Sequence, residues 1–114
     1  MAKPVSYRET VQLPVGFEDP KTGELMREAE VRAVTGGDEL AVGMSPEYNR
    51  FPNDLVYKTL LLARTVVRIG TKSNISSNDI KRLHAQDLRA LEYTVYRLTY
   101  GADAIPEPGD GPSG

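Results

Sequence analysis

With 114 residues, 39% of them hydrophobic and 26% charged, the chain is sized and composed for one soluble folded domain, and neither a membrane-spanning nor a wholly disordered sequence is favoured. It contains no cysteine, so a disulfide scaffold and thiolate-held zinc are excluded. The net charge of −2 argues against a dedicated polyanion binder, yet it is unevenly spread: residues 1–50 sum to −3, residues 51–101 to +4 and residues 102–114 to −3.

The opening Met1-Ala-Lys-Pro-Val-Ser-Tyr-Arg has no apolar run of the signal-peptide kind. Nor does any stretch reach the roughly 18 apolar residues of a membrane span, so a cytoplasmic location and no membrane partner are expected. Residues 1–7 are expected to form a flexible N-terminus. Thr10 to Phe17 is rich in β-formers and runs into Glu18-Asp-Pro-Lys-Thr-Gly23, which supplies turn geometry. Beyond it Ala29, Val31 and Ala33 alternate with Glu28, Glu30 and Arg32, the period of a strand with one wet face. Residues 8–35 therefore read as a β-hairpin, and Pro14, which lacks an N–H, predicts that the first strand is an edge or is interrupted there.

Thr35-Gly-Gly-Asp-Glu-Leu predicts a strand end passing into a short helix over 38–43, with Thr35 or Asp38 as its cap. Pro46 and Pro52 argue against a regular element between them, so residues 45–52 read as a connector. From Asp54 to Gly70 the apolar residues follow helical spacing, among them Leu55, Leu62, Val66 and Ile69, and predict a central helix of about sixteen residues closed by the glycine. Leu61 falls on its polar side, with Asp54, Lys58, Thr65 and Arg68. A polar loop follows, then a short helix through Ile80 and Leu83 capped by Ser77 or Ser76. A last helix is predicted from about Gln86 to Thr99, with Asp87 in its first turn and Leu88, Leu91, Val95 and Leu98 as its core stripe. The fold class is thus α+β: an N-terminal β-hairpin followed by a small helical bundle of two long and one or two short helices. The single domain spans 8–101. The tail 102–114, acidic and rich in Pro and Gly, is predicted to be disordered.

Catalytic chemistry finds little to work with. The single histidine, His84, reads as an ordinary loop or helix-end residue, Glu28 and Glu30 read as a solvated strand face, and Thr35-Gly-Gly-Asp-Glu lacks the Gly-Lys-Ser/Thr of a phosphate loop and sets acids where a phosphate would sit. No catalytic residue, metal site or cofactor is expected, and an enzyme is the least supported class. Partner binding is better supplied. At 100° per residue Tyr93, Tyr96 and Tyr100, with Arg89 and Arg97 beside them, lie on a face of the last helix well away from the leucine stripe. Tyrosine and arginine are enriched in interface hot spots, so these five are the candidate partner-binding residues. The same rings could pack under the hairpin, or stack the bases of a single-stranded nucleic acid, against which the overall charge argues.

Four stretches carry a family resemblance that runs from about Gln12 to Gly101: Leu13-Pro-Val-Gly, Val31-Arg-Ala-Val-Thr-Gly-Gly-Asp-Glu, Leu61-Leu-Ala-Arg-Thr-Val-Val-Arg-Ile-Gly, and Leu83-His-Ala-Gln-Asp-Leu-Arg-Ala-Leu-Glu-Tyr-Thr-Val-Tyr-Arg-Leu-Thr-Tyr-Gly101. In their order and spacing the chain resembles the small tail-assembly proteins of tailed phages and contractile injection systems, tail assembly chaperones or T-even-type baseplate proteins. The resemblance implies a hairpin followed by helices. It also implies a non-enzymatic role in building a tail or injection device inside the bacterial host, with a tape-measure, tube or baseplate component as protein partner and no cofactor. Two other roles stand beside it: a structural baseplate or tail subunit retained in the particle, which would extend its sheet through the hairpin edge, and a small nucleic-acid-associated regulator. A homo-oligomer is compatible with each.

Overall fold

In a computed structural model that describes residues 7–101, the two β-forming runs pair as expected. β1 (Arg8–Glu18) and β2 (Leu25–Arg32) form an antiparallel hairpin. Asp19 organises its loop: the carboxylate accepts from the amides of Lys21 and Thr22, and the Asp19 carbonyl accepts from Gly23 at 2.8 Å. β1 is the edge strand and is interrupted beside Pro14. Register runs from Arg8↔Arg32 to Gln12↔Glu28 and resumes at Phe17↔Met26, so Leu13–Gly16 stands opposite Arg27 alone. This bulge lets Leu13 and Phe17 both turn into the core, with Gly16 at φ +111° supplying a backbone shape that other residues rarely adopt.

The helices follow their caps. α1 (Gly36–Gly43) starts from a reciprocal capping box between Thr35 and Asp38. The connector is a helix as well, α2 (Pro46–Arg50): Ser45 caps it through the Tyr48 amide, and Pro46 occupies the first helical position, where its missing N–H costs nothing. α3 (Asp54–Thr65) is capped by Asn53, α4 (Ser77–Arg82) by Ser76 with Asp79, and α5 (Ala85–Tyr100) by the His84 ring, whose Nδ1 accepts from the Gln86 amide at 3.0 Å.

The expected central helix stops four residues early. Val66–Ile69 is a strand, β3, antiparallel to β2, and it turns through Gly70 into a two-residue β4 (Lys72–Ser73). Thr65, Val66, Val67 and Ile69 are β-branched, stiff in a helix and well suited to a pleated surface. Val31 pairs with Val66 and Ala29 with Ile69, so the bulge between them puts two residues three apart on one buried face. A regular strand would alternate; the bulged one mimics helical spacing. Gly70 is required at the turn, because its φ is +57° and a Cβ there would lie 2.8 Å from Met26 Cβ and Cγ.

The sheet order is β1-β2-β3-β4. Helix α5 packs on one face, closing a core of Val11, Leu13, Phe17, Met26, Ala29, Val31, Leu62, Val66, Ile69, Ile80, Leu91 and Val95, with Leu88 and Leu98 packed at its margin. The opposite face carries charge: Arg68 bridges Glu28 and Glu30, and Arg8 also reaches Glu30. The α+β architecture of an N-terminal hairpin followed by helices is therefore as the sequence predicts, extended by two strands. The expected flexibility of 1–7 and disorder of 102–114 fall, apart from Tyr7, outside the described residues. Among the described residues no helix is long and apolar enough to cross a membrane.

Candidate functional site

Because α5 turns its leucine stripe onto the sheet, its tyrosines face outward. Tyr93, Tyr96 and Tyr100 are 56%, 43% and 57% exposed, so they are not packed under the hairpin. Tyr96 and Tyr100 lie with ring centroids 4.8 Å apart in a tilted contact. Facing them is α3, whose Tyr57, Lys58, Leu61, Leu62 and Thr65 fall on one helical face by their spacing. Between the two helices lies an open groove of about 660 Å³. Its floor is Leu62, Thr65 and Val95, all buried, and its walls are Tyr57, Leu61 and the three α5 tyrosines, with Lys58, Arg89 and Glu92 at the rim.

Two features that the sequence presents separately, the tyrosine face of α5 and the out-of-place Leu61 of α3, thus border one concavity. Thr65 is not on an exposed face, as its helical phase suggests; it is fully buried, with its hydroxyl donating to the Leu61 carbonyl at 3.0 Å. Tyr57 is the wall residue that sequence reasoning passes over. Its signal is its place one turn before Leu61, and its ring makes an edge contact with Tyr48 of α2 at 5.8 Å. Burial, with the Glu39 carboxylate and the Tyr100 and Tyr48 hydroxyls nearby, pushes the Tyr57 pKa above its ordinary value.

The two arginines separate. Arg89 lines the groove, half-tethered by an ion pair to Glu92 at 2.8 Å. Arg97 leaves the tyrosine face: its guanidinium pairs with Glu9 of β1 and ties helix to sheet. That carboxylate holds the Arg97 pKa above its ordinary value, against the opposing pull of burial. Of the five candidate residues, four border the groove and Arg97 belongs to the scaffold.

The groove presents surfaces for contact. The groove holds no histidine, and Glu92 is already engaged. Among the described residues, no group of three or more His, Asp or Glu side chains is placed to hold a metal ion, and every buried side-chain nitrogen or oxygen has a hydrogen-bond partner. The arrangement offers large flat rings, an aliphatic floor and two cations at the rim, a surface suited to an apolar or aromatic segment with some negative charge.

A second hollow, of about 610 Å³, lies between α2 and α3 and exposes Phe51 and Leu55 beside Glu47 and Lys81. No family model, curated protein or solved structure matches the chain, so its function is argued from the groove.

Proposed function

We propose that the protein is a non-enzymatic assembly chaperone or adaptor of a phage-tail-like particle, and that it holds a segment of a tape-measure, tube or baseplate component in the α3–α5 groove. The single observation that carries the binding reading is the exposure of three tyrosines on one helix, facing a leucine and a fourth tyrosine on another across an open apolar floor. Isolated exposed apolar residues are ordinary, but a contiguous aromatic concavity on a soluble domain marks an interaction surface. The tail-assembly part of the reading rests on the resemblance of the four sequence stretches.

The test is co-expression with the tape-measure protein of the same genome. Its recovery in soluble form, bound to the chain, is expected to require the groove: Tyr93→Ala with Tyr96→Ala removes two large contacts and should weaken binding by 10-fold or more, while the circular dichroism spectrum stays as it was, since both rings are exposed. Unchanged binding by that folded variant removes the site. Mass spectrometry of assembled particles separates the two assembly roles, absence meaning a chaperone and stoichiometric presence a retained subunit. Sheet extension through the β1 edge, the route open to a subunit, is restricted by the bulge, where the Val15 and Gly16 amides are already taken by Asp87 at 2.8 and 2.9 Å.

A further inference from the structure

The tip of the β1–β2 hairpin, residues 18–25, carries Glu18, Asp19 and Glu24 against Lys21, and none of the four has an ion-pair partner among the described residues. Leu25 is 55% exposed and lies over Gly16, next to the exposed Val15. The tip is therefore an apolar side chain set among acids. It is also held in shape: the Asp19 amide donates to the Glu24 carbonyl and the Gly23 amide to the Asp19 carbonyl, both at 2.8 Å, so docking costs it little further ordering.

The hollow between α2 and α3 has the opposite character. Phe51 and Leu55 line it at 64% and 68% exposure. Arg50 and Lys81 line it too, exposed and without an ion-pair partner among the described residues, while its one acid, Glu47, accepts from the Ser77 hydroxyl at 3.4 Å. Within one molecule the two surfaces do not meet: the hairpin packs on α5 and β3, and no hairpin residue lines the hollow. A lone exposed leucine is ordinary, but an apolar tip among unpaired acids and an apolar hollow beside unpaired cations match in polarity and in sign.

We propose that the hairpin tip of one copy of this chain seats in the α2–α3 hollow of a second copy, Leu25 against Phe51 and Leu55, and the Glu18 and Glu24 carboxylates beside Arg50 and Lys81. Tip and hollow are unlike surfaces, so the contact is heterologous. A copy that offers its tip keeps its hollow for another, and copies add head to tail into a ring or an open chain unless two reciprocal contacts close a dimer. The hollow and the α3–α5 groove lie on opposite sides of α3, which gives Leu55 and Thr59 to the one and Tyr57 and Leu61 to the other, so self-association leaves the groove open. One hairpin tip is a small contact, of the weak class that buries less than about 1,200 Å², and it fills only at high protein concentration.

The experiment is sedimentation velocity of the full-length chain at low salt, about 50 mM, where opposite charges are least screened, up to about 0.5 mM protein. Glu18→Lys with Glu24→Lys reverses the tip, Arg50→Glu with Lys81→Glu reverses the hollow, and all four side chains are exposed, so the fold is kept. The wild type is expected to sediment faster as its concentration rises, and each reversed variant to associate at least about 10-fold more weakly. An equimolar mixture of the two variants should associate again, because every tip then meets a hollow of opposite sign, and Leu25→Ala added to the tip variant should weaken that mixture. Lys58→Glu with Arg82→Glu shifts the net charge as far as the hollow variant does but leaves the hollow's lining intact, and should associate as the wild type does. A wild type that stays monomeric throughout overturns the proposal and gives the hollow to another partner. So does a reversed variant that associates normally, a mixture that does not associate, or a loss in the Lys58 and Arg82 control. Tyr93→Ala with Tyr96→Ala should self-associate unchanged; loss there places the contact in the groove and overturns the proposal, whereas failure of the groove to bind a tape-measure protein leaves it standing.

Discussion

Asp87 is fully buried in the first turn of α5, and its two oxygens accept from consecutive amides, Val15 at 2.8 Å and Gly16 at 2.9 Å. The bulge of β1 leaves these residues without a pairing partner on β2, so without the carboxylate their N–H groups would be left unpaired in a part-buried place. The sequence places Asp87 in a helical first turn, where a carboxylate is favourable for the helix dipole alone. Its tie to a strand 71 and 72 residues away cannot be read from local spacing. Asp87→Ala is expected to cost about 2–4 kcal/mol, since each orphaned buried donor costs about 1–3. For a domain whose total stability is about 5–15 kcal/mol, that is a lowering of Tm by 10 °C or more. Urea denaturation checks it: a lower midpoint at unchanged slope is expected, and a loss below about 1 kcal/mol would mean that the bulge is held by other contacts.

Between elements, the tightest junction is Asp38. Arg32 of β2 grips its carboxylate with two nitrogens at 2.7 and 2.9 Å, Arg64 of α3 adds Nε at 3.0 Å, and the Thr35 amide and hydroxyl complete the cap. The Arg32 hydrogen bonds, helped by those of Thr35 and Arg64 and opposed by burial, hold the Asp38 carboxyl far below the usual carboxylate range. Asp79 is shifted the same way: burial pushes it up, but Ser76 and Lys72 prevail. A carboxyl depressed in the fold contributes stability that is complete above its unfolded value, about 3.9, and is lost as pH falls toward the folded one. Stability should therefore decline from about pH 5 downward. Asp38→Asn should cost about 1–3 kcal/mol at pH 7, because both arginines keep access to water, and the gap from wild type should narrow between about pH 5 and pH 2. Thermal melts across that range measure it; a constant gap would show that the charge of Asp38 is not what holds α1 to β2 and α3. The cap was legible in Thr35-Gly-Gly-Asp, but the two arginines were not, since they come from other elements. The end of α3 was misread for a different reason: the bulged β3 buries Val66 and Ile69 at a helix-like interval, and only the run of β-branched residues from Thr65 betrays the strand.

At the scale of the molecule, the tyrosine and leucine faces were each legible from helical phase, but that they border one groove was not, because the sheet sets how α3 and α5 lie. The charge asymmetry of the sequence is likewise resolved only in three dimensions. The basic excess of residues 51–101 meets the acids of the first fifty: Arg64 pairs with Asp38, Arg68 with Glu28 and Glu30, and Arg97 with Glu9, while Lys72 and Arg89 pair locally with Asp79 and Glu92. Polyanion binding draws on cations free to replace counterions at phosphates, and these five are committed to carboxylates. Lys58, Lys81 and Arg82 have no ion-pair partner among the described residues, but they stand on two different helices. The nucleic-acid reading would need the groove tyrosines to stack bases along a basic track, and beside them stand only Lys58 and a half-engaged Arg89. Full-length protein is therefore expected to leave a single-stranded oligonucleotide unshifted in a mobility assay even at about 50 mM salt, where electrostatic binding is strong. Retardation that weakens steeply as salt rises would favour the regulator reading over the assembly one. Retardation insensitive to salt but lost in Tyr93→Ala with Tyr96→Ala would make the groove a base-stacking site, and its ligand something other than a tail component.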